Sequence, residues 1–242
     1  MATAAACAAT LHRSALWQVV RTCVVNAQLI GGPFPCLKVD IAAGAERGWA
    51  VLRPPFGAPD TILTPTRPIA GLEDSWLRGD DAPNYFAAAW EERALVKARD
   101  GAEVPAGAMA LGVNSRATRT QDQLHIHIGC LRPRFRRAID AFGPQLPPGA
   151  WAHIGGVAGR GDYRALRVSG AGLAGVNVFA RAAEAYGDEG VDLADQIIVV
   201  APLQGPADGG DFVILTGRAG EAQLPRAPSA DEFIDPACPA RR

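Results

Sequence analysis

Long apolar runs are missing from this 242-residue chain: no stretch approaches the ~20 residues a helix needs to cross a bilayer, so no spanning helix is expected. An excess of one charge is missing too. With 24 Lys and Arg against 25 Asp and Glu, the chain lacks the clustered cations of a general polyanion binder, and nucleic acid is not an expected partner. None of the five cysteines has CxxC spacing, which excludes a zinc ribbon and a thioredoxin-type motif. The start, MATAAACAATLHRSALW, has neither the basic n-region nor the long apolar h-region of a complete signal peptide, and it reads as a trimmed remnant or a faint lipoprotein-like TAAAC site. Apolar residues make up 48 % of the chain, enough for a packed core and too many for wholesale disorder. Four cysteines in the folded part (Cys23, Cys36, Cys130, Cys238) form two disulfides in an oxidising compartment or stay as buried thiols in a reducing one. Three pairings are open.

Apolar residues from Leu11 to Ile30 predict an amphipathic helix, broken by GGPFPC. Trp49–Leu52 and Thr61–Pro65 predict a hairpin through a turn at Gly57–Asp60. Asn84 opens APNYFAAAWEERALVKARDG, a helix with glycine beyond its end. Strands follow at Ala108–Asn114 and Gln123–Cys130. The second half repeats that order, with strands near Trp151–Ile154 and Tyr163–Val168, a helix over Leu173–Tyr186, and strands Gln196–Leu203 and Asp211–Gly217. The expected architecture is α+β, an antiparallel sheet with helices in two similar units. Its divisions are an N-terminal helical segment (1–40), a catalytic unit (41–140), a second unit packed on it (141–220) and an irregular tail (221–242).

The informative segment is NSRATRTQDQLHIHIGC, Asn114 to Cys130. Alternate side chains of a strand share a face, so His125 and His127 point one way with Gln123 and Gly129, while Leu124, Ile126 and Ile128 enter the core. Gly129 leaves room for a phosphate to approach. Upstream, Arg116 and Arg119, with Ser115, Thr118, Thr120 and Gln121, supply donors for phosphate oxygens. Two blander readings compete. The histidines are satisfied core residues, or they bind zinc with His153 or a carboxylate as third ligand; the two arginines disfavour a cation there. The basic run Leu131–Arg137 is a solvated face or meets anionic headgroups. Asn84, Tyr85, Phe86 and Trp90 are core or line a base pocket, and His153 is structural.

The alternating histidines, with Val113–Asn114 and Gln121 upstream, resemble the histidine-triad superfamily of nucleotide hydrolases and transferases. GWAVLRPP, ILTPTRPIAGLED, APNYFAAAWEER and NSRATRTQDQLHIHIGCLRP together resemble the bacterial CDP-diacylglycerol pyrophosphatase family, with the likeness fading after about Ala150. The resemblance implies a histidine-triad-like fold, a single-chain pseudo-dimer or weak homodimer, and hydrolysis of CDP-diacylglycerol to CMP and phosphatidate. It places the nucleophile at His127, assisted by His125, with Asn114, Ser115, Arg116, Arg119, Gln121 and Gln123 binding nucleotide and phosphate, and needs no metal or other cofactor. The family's third histidine falls on Gly129, a departure. The implied setting is the periplasmic side of a bacterial inner membrane, held peripherally or by an N-terminal anchor. A soluble histidine-triad hydrolase or nucleotidyltransferase and a non-catalytic nucleotide- or lipid-sensing module are the alternatives.

Overall fold

In the computed structural model, which describes residues 13–53, 61–204, 210–220 and 227–239, ten strands join into one sheet. They are β1 (Lys38–Asp40), β2 (Trp49–Leu52), β3 (Thr61–Pro65), β4 (Met109–Val113), β5 (Ile126–Leu131), β6 (Trp151–Val157), β7 (Arg160–Ser169), β8 (Gln196–Pro202), β9 (Asp211–Arg218) and β10 (Ile234–Asp235). Among the described residues four α-helices accompany them: α1 (Ala15–Ile30), α2 (Tyr85–Glu91), α3 (Pro133–Phe142) and α4 (Val178–Ala183). The sheet runs β1-β2-β3-β5-β4-β8-β9-β7-β6, with β10 added to β5, and each pairing is antiparallel. This is the expected α+β class. The turn at Gly57–Asp60, the leader-like start and the first residues of the tail lie outside the described residues.

From β2 to β6 the order is a palindrome about β4 and β8, which meet at Gly112 and Val199. Each half runs strand, strand, helix, strand, strand, and the asparagine that caps each helix also donates to the other half. Asn84 Oδ1 accepts from Ala87 N at 3.0 Å while its Nδ2 donates to Leu173 O and Val176 O of the second half. Asn177 Oδ1 accepts from Ala180 N at 3.0 Å while its Nδ2 donates to Leu77 O of the first. Phe86 and Phe179, each two residues past its cap, meet edge to face at 5.0 Å. Asn84 is therefore a helix cap, and Tyr85, Phe86 and Trp90 are core rather than a base pocket.

The pleat divides the core. On one face α2 and α4 cover Leu63, Leu111, Ile126, Ile128, Ile198, Val200 and Ile214. On the other, α1 covers Ala50, Leu52 and Ile62, while α3 and the tail cover Ala110, Ile197, Val199, Val213 and Leu215. His127 pairs with Ile62 on one side and Gly112 on the other, so it lies on this second face, between the two apolar clusters.

Several elements depart from expectation. The helix at Asn84 ends at Glu91, because Glu92 turns into the protein to meet Lys38 Nζ at 2.5 Å and a 3-10 turn follows. The helix expected over Leu173–Tyr186 keeps only Val178–Ala183, flanked by short 3-10 turns. The basic run Leu131–Arg137 is the end of β5 and the first turn of α3, begun by Pro133 at its first position; Phe135 enters the core and Arg136 pairs with Asp140. The boundary drawn at residue 140 falls within α3. The tail is not merely irregular. Ile234 and Asp235 pair with Leu131 and Cys130, and Cys238 is disulfide-bonded to Cys130, the second bond being Cys23–Cys36.

Candidate active site

β5 is buried along its length and flanked by β3 and β4, so its side chains are held by two neighbouring strands. His125, just before it, places Nδ1 2.7 Å from Gln123 O. A carbonyl only accepts, so Nδ1 carries the proton and the ring is fixed in one tautomer. The His125 and His127 rings meet edge to face at 4.9 Å. His127 is 8 % exposed and its Nε2 atom is shielded from solvent.

What shields it is the tail. Asp231 Oδ1 lies 3.6 Å from His127 Nε2, while Asn114 Nδ2 donates to Asp231 Oδ2 at 3.0 Å. The Ser229 hydroxyl lies 3.1 Å from Asp231 Oδ2 and 2.8 Å from Asn114 Oδ1, and Ala230 N donates to Asn114 Oδ1 at 2.8 Å. Asn114, at the end of β4, thus fastens the strap 229–231 over the histidines. Partial desolvation by itself would raise the Asp231 carboxyl; His127, the Asn114 amide, the Ser229 hydroxyl and His125 outweigh it and hold the group below the ordinary carboxylate value.

Gly129 carries a different consequence from the one expected. A Cβ there would lie 2.6 Å from Ile234 Cγ2 and 3.1 Å from Asp235 O, and one on Gly112 would lie 2.8 Å from Ile234 Cδ1. The two glycines admit the strap; the space is filled by Ile234, not left open for a phosphate.

The remaining residues singled out in the sequence surround this centre. Arg119 is 9 % exposed along its side chain and donates to Glu73 at 2.6 and 2.8 Å and to Asp122 at 3.0 Å. Asp122 is also held by Arg13, at 2.6 and 2.7 Å. Arg116 pairs with Asp195 at 3.0 Å with its side chain about half exposed. Ser115 is buried and bonded to Ala219 O. Gln121 Oε1 accepts from Leu16 N at the start of α1, and the Gln123 amide donates to Thr64 Oγ1, Pro65 O and Arg67 O. The structure brings His125, His127 and Asn114 together, and commits Arg119, Ser115, Gln121 and Gln123 to fixing the loop between β4 and β5. His153 stands on β6, five strands from β5, paired with Asp162 at 2.5 Å, too far to be a third ligand beside His127. Among the described residues no group of three His, Cys, Asp or Glu side chains is placed to hold a metal.

Asp231 and Ser229 were not legible as site residues, since Asp231 lies 117 positions from Asn114 and neither sits in a local motif. The one signal was Cys130: pairing it with Cys238 carries the tail to the strand of the histidines.

Two comparisons bear on this site. The family model described as CDP-diacylglycerol pyrophosphatase matches residues 11–242. A curated CDP-diacylglycerol pyrophosphatase of Yersinia pestis is 32 % identical over 229 residues, covering 94 % of this chain and 84 % of its own length.

Proposed function

Since the chain belongs to the CDP-diacylglycerol pyrophosphatase family, we propose that it hydrolyses the pyrophosphate bond of CDP-diacylglycerol through a nucleotidyl-histidine at His127. His127 Nε2 attacks the phosphorus next to cytidine, phosphatidate leaves, and water releases CMP. The observation that carries this reading is an anion already seated beside the nucleophile: the Asp231 carboxylate, 3.6 Å from Nε2 and gripped by Asn114. A pocket that holds a carboxylate against an imidazole offers a phosphate oxygen the same partners. His125 holds its ring against His127 and steers the phosphate. Asn114 exchanges Asp231 for a phosphate oxygen. Arg116, half exposed at the rim, turns from Asp195 to the departing phosphate. Arg119, Ser115, Gln121 and Gln123 keep the loop in shape.

The palindromic sheet supports a histidine-triad-like fold duplicated within one chain, a pseudo-dimer that needs no second copy. His127 pairs with Ile62 and Gly112; the matching position, paired with Ala165 and Val199, is Leu215. One unit alone keeps the histidines.

The reaction is assigned to the periplasmic side of a bacterial inner membrane, at the lipid surface. Two disulfides support an oxidising compartment. The lipid surface is supported by the end of α1 and the loop after it. There Leu29, Ile30 and Phe34 are 78, 75 and 77 % exposed beside Val25 and Leu37, and Cys23–Cys36 and an Asn26–Phe34 hydrogen bond of 2.6 Å hold the loop to the helix. From Ser14 to Val39 the chain carries Arg21 and no carboxylate, Lys38 being paired with Glu92, which suits an anionic bilayer. Among the described residues no helix is long and apolar enough to cross a membrane.

The test is incubation with CDP-diacylglycerol in detergent, with and without EDTA, followed by an alkaline quench and peptide mass spectrometry. CMP release indifferent to chelator, with a cytidylyl group on His127 and none in His127→Asn, is expected. Activity lost in EDTA and restored by zinc, or undiminished in His127→Asn, rejects the scheme.

A further inference from the structure

Hydrolysis needs a second event after His127 has taken the nucleotidyl group, and a water must be activated for it. The strap carries a group placed for that task. In the free protein Asp231 Oδ2 is held by both Asn114 and Ser229, which leaves Oδ1 directed at His127 Nε2; when Asn114 turns to the phosphate, the Ser229 hydroxyl still holds the carboxylate. The Asp231 side chain is 58 % exposed, so it joins a shielded nitrogen to bulk water, where His127 itself has almost no contact with solvent.

We propose that Asp231 is the general base of the hydrolytic step, a role that rests on the nucleophile assigned to His127. Water enters from the solvent side and its oxygen bonds to phosphorus while its proton passes to Asp231 Oδ1. The bond between Nε2 and phosphorus breaks, its electron pair returns to the imidazole, CMP leaves, and Asp231 then gives the proton to solvent. Reacting atoms meet at about 3–3.5 Å. A phosphorus at that distance from Nε2 falls on the place Oδ1 occupies in the free protein, so the carboxylate moves aside as substrate enters. Beyond Asp231 the chain stays anchored, because β10 pairs with β5 through Ile234 and Asp235 and Cys238 is bonded to Cys130.

The electrostatics change in the useful direction. In the free protein the carboxyl is held below its ordinary value against the opposing effect of partial desolvation, His127 being the foremost of the groups that lower it. A nucleotidyl group on His127 puts a phosphate anion beside the carboxylate, and its proton affinity rises when a base is required.

The experiment is rapid-quench turnover of Asp231→Asn, following phosphatidate, CMP and the covalent adduct. Expected are a phosphatidate burst of one per chain, CMP release slowed by about 10²–10⁴-fold, and accumulation of nucleotidyl-His127. In Asp231→Ala, formate should restore CMP release without altering the burst, an effect no structural role produces. If CMP release continues at the parent rate, or the adduct forms in the parent and is not enriched in either variant, Asp231 is a plug and not a base. If no adduct appears in any of the proteins and both products slow together, the His127 nucleophile fails and the base role falls with it.

Discussion

Substituting Gly129 by alanine tests whether the strap and the histidine strand are built as one piece. The added Cβ would sit 2.6 Å from Ile234 Cγ2, 3.1 Å from Asp235 O and 3.2 Å from Pro236 Cα, so one neighbour is a side-chain branch and two are backbone. Ile234 has little freedom to turn away, since its Cδ1 already lies 2.8 Å from where a Cβ on Gly112 would be and the residue is 2 % exposed. The strap must therefore lift. Overpacking of this kind costs about 1–3 kcal/mol. With a Tm shift of about 2–4 °C per kcal/mol at this chain length, the expected fall is about 2–12 °C. Asp231 lies three residues before Ile234, so the same shift displaces the carboxylate. A misplacement of about 1 Å costs ~10²-fold in rate. The assay pairs thermal unfolding with turnover, in a double-mutant cycle with Ile234→Ala. That single change should cost about 2–5 kcal/mol as a cavity. Combined with Gly129→Ala the two should be less than additive, because the removed branch makes room for the added methyl. Strict additivity, or a Gly129→Ala protein with unchanged Tm and kcat, refutes the reasoning.

Two further outcomes are expected. Arg119→Ala should lower stability by about 1–3 kcal/mol, below the ~3–5 of a fully buried pair because Glu73 and Asp122 are about a third exposed. Glu73 is raised by burial but lowered more by Arg119, and Asp122 is lowered chiefly by Arg13, so their stabilisation is present above the unfolded values of about 4 and is lost as pH falls through the lower folded ones. The parent's Tm should therefore drop more steeply below pH 4 than the variant's, and parallel curves count against the assignment. Leu29→Ser combined with Phe34→Ser should abolish co-sedimentation with vesicles containing anionic phospholipid and leave CMP release from detergent-dispersed substrate unchanged. Undiminished sedimentation, or loss of a concentration-dependent dimer instead, removes the lipid-docking role.

How far the chain could be read follows from the range of the forces involved. Strands with a clean alternation were plain in the letters: in LHIHIG every second residue belongs to one face, and the structure puts Ile126 and Ile128 in one core with His127 opposite. The Asn84 cap was legible as a helix start because its hydrogen bond closes within three residues. Its second task, holding Leu173 and Val176, was not. Glu92 looked helical by composition, and only the partner Lys38, supplied from β1, explains why the helix stops there. The tail looked irregular because a two-residue strand has no period to detect.

Composition and local pattern alone determined the α+β class, the repeated order of elements and the strand that carries His127 with His125 at its entry, since side-chain alternation and capping act over a few residues. Tertiary structure alone decided which cysteines pair, that Arg119 spends its charge on Glu73 and Asp122, and that Asp231 reaches His127. The Cys130–Cys238 bond and the Asp231–His127 contact join positions about a hundred residues apart, and Glu73 lies 46 from Arg119; such partners are chosen by how two faces of a sheet are covered, which no local stretch of sequence records.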